Sequence, residues 1–191
     1  MAEKLIPTPG QTVGPFFSLG LDRPEWADLT RNNPQGERIV IEGQVRDGDG
    51  VPVPDALLEL WQANAAGRYD SPEDTQADKP LDPNFLGYGR VATDPEGRFR
   101  ITTIKPGPVP GRGNTLQAPH INLSFFARGL LKQLFTRIYF ADEQGNAADP
   151  LLTSIEDGVA RNSLIARADT MGTYRFDIVL QGENETAFLD L

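Results

Sequence analysis

Few side chains in this sequence can do chemistry, and their scarcity narrows the options. Among 191 residues there is one histidine, His120, and no cysteine. Without cysteine, thiol catalysis, disulfide scaffolds, zinc ribbons and iron–sulfur ligation are excluded, and the redox compartment cannot be read. With one imidazole, a His-x-x-x-His zinc pair or a two-histidine facial triad is impossible within the chain. A Ser-His-Asp relay would have to use His120, yet no Gly-x-Ser-x-Gly turn is present and His120 falls inside an apolar strand pattern. Asp47-Gly48-Asp49 opens like a calcium loop, but Val51 and Pro52 stand where an oxygen ligand and the turn glycine are needed, so a hairpin turn is expected. Gly111-Arg112-Gly113 is too short for a phosphate-cradling loop and has no helix after it. Asp70, Glu73, Asp74 and Asp78 form an acidic cluster that reads as an acid–base pair or, more simply, as a solvated loop face.

The elements that must position these residues have period two. Tyr174, Phe176, Ile178 and Leu180 alternate with polar or smaller residues, as do Phe99 and Ile101, the pattern of strands with one buried face. Further β-like runs cover 38–45, 56–61, 120–127 and 136–140. They are separated by Asp47-Gly48-Asp49-Gly50, Asp94-Pro95-Glu96-Gly97 and Asp142-Glu143-Gln144-Gly145, which supply side-chain acceptors and glycines for tight turns. Six or seven strands at this spacing predict an all-β fold, a β-sandwich of mostly antiparallel strands with long loops. The expected organisation is a proline-rich N-terminal extension over 1–34 and one sandwich domain over 35–191. Two long polar loops, 67–89 and 105–119, interrupt the strands, and the second feeds directly into the run that holds His120.

With 18 Lys and Arg against 27 Asp and Glu, the formal charge of −9 has the wrong sign for a surface that tracks phosphates, so no nucleic-acid partner is expected. No stretch approaches the roughly 20 apolar residues of a membrane span, and the first residues carry no apolar targeting segment, so the expectation is a cytoplasmic protein with no membrane partner. The 39% hydrophobic content suits a globular chain, and one of this length builds a core without disulfides.

Six segments are similar to the intradiol ring-cleaving dioxygenases, in family order and nearly end to end. They are Thr8-Pro9-Gly10-Gln11-Thr12-Val13-Gly14-Pro15-Phe16, Leu60-Trp61-Gln62-Ala63-Asn64, Pro80-Leu81-Asp82-Pro83-Asn84-Phe85, Thr103-Ile104-Lys105-Pro106-Gly107, Ala118-Pro119-His120-Ile121-Asn122 and Tyr174-Arg175-Phe176-Asp177-Ile178. The family fold is a β-sandwich. In its iron-bearing chains two tyrosinates and two histidines hold Fe(III), the histidines spaced His-x-His because residues two apart face one side of a strand. By this resemblance the four ligand positions fall at Ala77, Val109, His120 and Asn122, so one ligand of four survives and no metal is expected on this chain. A lone imidazole does not retain catalytic iron against water.

The resemblance is closer to the family's iron-free α subunits, which pair with an iron-bearing β subunit. It implies a complex that cleaves protocatechuate, a small aromatic acid, with O2 to 3-carboxy-cis,cis-muconate. Thr12, Gly14, Pro15, Phe16 and Arg128 would line the substrate pocket, with no catalytic residue on this chain. Relatives commonly carry Tyr where this chain has Phe16. A guanidinium at Arg128 would offset the repulsion between an anionic substrate and a chain of charge −9, or it would simply be solvated. His120 itself reads first as a packed, hydrogen-bonded core residue. The apolar residues Phe16, Phe17 and Leu19 would either cover this chain's own sandwich or meet a partner. Two other readings stay open: a stand-alone β-sandwich binding module, and a self-sufficient dioxygenase with iron on Tyr69 and nearby carboxylates.

Overall fold

The computed structural model describes residues 7–170 and 172–190; residues 1–6 of the N-terminal extension, Met171 and Leu191 lie outside the described residues. Two layers of strand face each other. One contains β1 (Arg38–Arg46) with β4 (Arg98–Ile104) antiparallel on one side and β10 (Thr173–Arg175) and β11 (Ile178–Val179) parallel on the other. The second runs β3 (Tyr88–Ala92), β2 (Leu57–Gln62), β7 (His120–Phe126), β8 (Leu134–Phe140), antiparallel throughout. β9 (Ile165–Ala168) joins them, parallel to β8 and antiparallel to β10, so the sandwich closes along that edge.

Period-two patterning sets which side chains fill the space between the layers. Ile39, Ile41, Val45, Phe99 and Ile101 from one layer meet Leu58, Leu60, Ile121, Leu123, Phe125, Ile138 and Phe140 from the other, all buried in one cluster. Each such side chain contributes about 1.5–3 kcal/mol of burial free energy. A smaller cluster of Ala118, Tyr139, Leu152 and Leu164 covers the outer face of β7 and β8. It is held by the short helices α2 (Pro150–Ser154) and α3 (Gly158–Ser163), each with an aspartate at its N-cap.

The expected strands at 38–45, 56–61, 120–127 and 136–140 are all present within a residue or two. Eleven strands stand among the described residues where six or seven were expected, because several are too short for a periodic signal. β5 (Val109–Pro110) and β6 (Leu116–Gln117) form a two-residue ladder inside the 105–119 loop, and the 67–89 loop gives its last two residues to β3. The run from Tyr174 to Leu180 is not one strand. At its centre the amide of Phe176 donates to the carbonyl of Glu42, and Asp177 Oδ1 accepts the Gln44 amide at 2.9 Å, a side chain taking the place of a ladder carbonyl. This crossing brings the Phe176 carbonyl so close to Gly43 that a Cβ there would collide with it.

The N-terminal extension divides. Its later part, with a 3-10 turn over Pro24–Ala27, folds onto the sandwich: Leu29 joins the core, its amide bonds the Thr102 carbonyl at 2.8 Å, and the Trp26 ring lies 4.9 Å from the Arg90 guanidinium. Its earlier part, with helix α1 (Phe17–Leu21), leaves Phe16 and Leu19 75% and 77% exposed, so those two do not cover the chain's own core. Among the described residues no helix is long and apolar enough to cross a membrane.

Candidate functional site

Alternation along β7 sends Ile121, Leu123 and Phe125 into the core and turns His120 and Asn122 to the outer face. The register across the sheet then places Trp61 opposite Asn122 on one side, Arg137 opposite Asn122 on the other, and Tyr139 opposite His120. These five side chains share one outer face, as the His-x-His spacing of the resemblance requires for its two β7 positions.

Their bonding is almost entirely mutual. Arg137 donates from Nε to Asn122 Oδ1 at 3.0 Å and from Nη1 to Gln117 Oε1 at 2.7 Å and Tyr139 Oη at 3.2 Å. Asn122 Nδ2 donates to the Trp61 carbonyl and to Tyr69 Oη, both at 3.3 Å, and the Tyr69 and Trp61 rings stack 5.6 Å apart. The Tyr139 hydroxyl donates to Asp149 Oδ1 at 3.1 Å. Asp149 is 0% exposed; it also accepts the amides of Leu151 and Leu152 as the N-cap of α2, and the Ala118 amide on Oδ2 at 2.8 Å. The guanidinium thus sits at one end of a chain of hydrogen bonds whose other end is a buried carboxylate.

His120 is buried, with Nδ1 2.7 Å from the Ala118 carbonyl; the carbonyl can only accept, so Nδ1 carries the proton. Burial, reinforced by the positive charge of Arg137, lowers its pKa from 6.5 to about 4, so the ring is neutral at physiological pH. Burial likewise pushes the Tyr69 phenol above its ordinary value, against the pull of Asn122 and Arg137, and raises that of Tyr139.

These residues do not fit a ferric ion. The donors would be one imidazole, two phenols held protonated by burial and one carboxamide, and a guanidinium already lies among them. Among the described residues no three His, Cys, Asp or Glu side chains cluster as metal ligands do. Of the other two degenerate positions, Val109 is buried and lines a cavity beside the site, whereas Ala77 is exposed on the 67–89 loop next to Gln76, which lines the same cavity. That cavity, about 350 Å3, is walled by Trp61, Val109, Pro110 and Gln117 on one side and by Tyr69, Ser71 and residues 73–76 of the 67–89 loop on the other. Asp74 of the acidic cluster accepts the amides of Tyr69 and Gln76 and so fixes this loop instead of acting as half of an acid–base pair.

The pocket residues expected from the resemblance lie elsewhere, at the far end of β7. Thr12 Oγ1 accepts the Gly129 amide at 2.7 Å, which lays the N-terminal stretch across the turn after β7. Gly129 has φ +94°, a conformation open to glycine and strained for other residues. Arg128, half exposed, pairs with Asp55 through Nη2 at 2.8 Å and Nε at 3.3 Å. Gly14, Pro15 and Phe16 are exposed beside them, and the Gly14 carbonyl accepts the Phe17 amide that begins α1. Thr12 and Arg128 are therefore brought to one corner, and His120 and Asn122 to another.

Sequence reasoning passed over Arg137, Tyr139 and Gln117. Their signal is positional only: each is placed beside Asn122 or His120 by strand register or by a loop, which a linear motif does not encode. Asp149-Pro150 was a legible helix start.

The family profile Dioxygenase_C, described as dioxygenase, matches residues 14–182. The chain is 42% identical to the protocatechuate 3,4-dioxygenase alpha chain of Pseudomonas putida over all of both chains. It is 45% identical to the protocatechuate 3,4-dioxygenase beta chain of Burkholderia cepacia, over 83% of this chain and 73% of that one. Among solved structures, the dioxygenase domain of a carbohydrate-binding fusion from Streptomyces sp. SirexAA-E superposes with a TM-score of 0.62 at 28% identity, covering 92% of this chain and 99% of the other. With a fold, a profile and full-length relatives in agreement, the chain belongs to the intradiol dioxygenase family.

Proposed function

We propose that this chain is the iron-free α subunit of a cytoplasmic protocatechuate 3,4-dioxygenase, and that a β subunit carries Fe(III) for the pair. The complex would insert both atoms of O2 between the hydroxylated carbons of protocatechuate and release 3-carboxy-cis,cis-muconate. The observation that carries this reading is the Arg137 guanidinium bonded to Asn122, set in a chain that matches an alpha chain from end to end. The likeness to a beta chain is as high in identity but leaves more than a quarter of that chain unmatched. Ferric iron on the β subunit would supply the coordination that makes a catecholate reactive toward O2.

What this chain adds follows from distance. Arg128 stands eight residues beyond His120 along extended chain, roughly 25 Å away at about 3.3 Å per residue. It cannot line a pocket centred on His120 of its own chain, which supports a pocket at Arg128 that another chain completes. Asp55 takes one edge of the guanidinium, through Nε and Nη2, and Nη1, without an acceptor among the described residues, would orient a substrate carboxylate. Thr12, Gly14, Pro15 and Phe16 form the adjoining wall, and the exposed Phe16 and Leu19 gain a place to be buried.

The test is to purify this chain alone and with a β subunit, then assay iron, visible absorbance and O2 uptake with protocatechuate. A colourless, inert lone chain and an iron-bearing, active pair is the expected result. Iron and turnover in the lone chain would sink the proposal.

A further inference from the structure

We infer that Asp55 is a positioning residue for the substrate: its carboxylate holds one edge of Arg128 in a fork and so fixes the plane in which the guanidinium presents Nη1 to a substrate carboxylate. The inference rests on the pocket proposed above at Arg128 and deepens it by giving Asp55 a part in binding. Strand register brings the two side chains together. Continuing the β2–β7 ladder two residues past the pair Leu57 and Phe126 sets Asp55 opposite Arg128. Arg128 donates from Nε to Asp55 Oδ1 at 3.3 Å and places Nη2 2.8 Å from Oδ2, one nitrogen to each oxygen. A single contact leaves a guanidinium able to swing about it, whereas two parallel ones fix its plane.

The backbone beneath Asp55 is built to hold that carboxylate still. Asp55 follows Pro54 in a turn and has φ +54°, the left-handed conformation that glycine takes freely. The other non-glycine residues with such a φ among the described residues are Asn33 and Asn184, so Asp55 alone of the three carries a charge. The buried Thr93 hydroxyl clamps the turn from both ends, accepting the Ala56 amide at 2.9 Å and donating to the Val53 carbonyl at 2.8 Å. On the other side of the pair, Thr12 Oγ1 accepts the amide of Gly129, next to Arg128. An ion pair as exposed as this one adds little to stability, so stability does not explain why a charged residue occupies the left-handed position. Strain kept at such a place is expected where the orientation of a side chain matters. Charge alone argues against Asp55, because a carboxylate beside Arg128 repels the anion that Arg128 is to bind. Its use there is geometric, and the sign of its effect on binding separates the two roles.

The experiment compares Asp55→Gly with Arg128→Ala in the αβ complex. Glycine adopts φ +54° without strain, so the turn is kept and the urea midpoint of the chain should shift little. KM for protocatechuate should rise about fivefold with kcat nearly unchanged, and KM for catechol, which lacks the carboxylate, should not move. Asp55→Asn, which keeps one acceptor oxygen, should fall between the natural chain and Asp55→Gly. In an Arg128→Ala background Asp55→Gly should add nothing, because its effect passes through the guanidinium. A KM raised by Arg128→Ala but unchanged or lowered by Asp55→Gly would overturn the inference and leave the pocket standing. An equal rise with catechol, or an undiminished effect of Asp55→Gly in the Arg128→Ala background, would overturn it as well. No response of KM to Arg128→Ala would remove the pocket and the inference together.

Discussion

The two ends of β7 have opposite characters. At its start, around His120 and Asn122, nearly every polar group is satisfied within the chain, from the Arg137 guanidinium through Tyr139 to the fully buried Asp149. Just past its end, Arg128 is held by Asp55 at the rim, Thr12 by one bond to Gly129, and Phe16 and Leu19 lie open to solvent. The end that holds two of the positions implied by the resemblance as metal ligands is packed structure, and the other end keeps an unfinished surface.

The sharpest way to break this comparison is to remove one carboxylate from each end. Asp149→Ala strands the Ala118, Leu151 and Leu152 amides and the Tyr139 hydroxyl in a dry site, and should cost about 3 kcal/mol or more. Asp55→Asn breaks a pair whose members are both substantially exposed, and should cost under about 1 kcal/mol. Urea unfolding of the two variants measures the difference, and equal losses would contradict the contrast.

Acid should act on the packed end next. Because His120 has its pKa lowered to about 4 in the fold, the unfolded chain holds more protons between about pH 4 and 6.5, and stability falls as pH drops through that window. The loss approaches roughly 3 kcal/mol by pH 4, from a shift of about 2.5 units. Asp28, Asp74 and Asp142 do not blur it. Partial burial pushes them up, but bonds from Thr30, from Tyr69 and Gln76, and from Lys105 and Tyr174 outweigh it and hold them below 3.8, so their contribution is lost only below that pH. Unfolding free energy measured from pH 7 to 4 should slope downward in the natural chain and run flatter in His120→Gln.

The sandwich was legible because its long strands alternate: β1 buries every second residue throughout, and β4 and β7 do so except for one adjacent buried pair at an end. β3 was not, since Tyr88, Arg90, Val91 and Ala92 are all only partly buried and leave no period to detect. The break at Phe176 and Asp177 was hidden for the opposite reason: alternation continues through it, while an Asp side chain replaces the ladder. At the site, His120 and Asn122 were visible as neighbours on one strand. The guanidinium bonded to Asn122 and the rest of the network were not, because Arg137 becomes a neighbour of Asn122 only through the register of β8.

At the exposed end, Arg128→Ala in the αβ complex should raise KM for protocatechuate about tenfold, roughly 1.4 kcal/mol, with little change in kcat, as expected for a group that binds the substrate's carboxylate equally in ground and transition states. A catechol lacking the carboxylate should feel no difference. If KM does not move, Arg128 is only solvated and the corner is not part of a pocket.

The smallest effect tests whether the N-terminal stretch is laid against the β7 turn by design. Thr12→Val keeps the shape and removes the oxygen that accepts from the Gly129 amide, a single exposed bond whose loss costs about 1 kcal/mol at most. Global stability should barely change, because residues 7–16 contribute no side chain to the core. Local order should change: amide exchange at Gly129 should quicken, and cleavage by protease within 10–16 should become faster in the lone chain. In the αβ complex the same substitution should have a smaller effect, since the partner surface would then hold Phe16 and Leu19 in place of that bond. Equal sensitivity with and without the β subunit would mean that the stretch is tethered by Thr12 alone, and that its exposed apolar residues meet no partner.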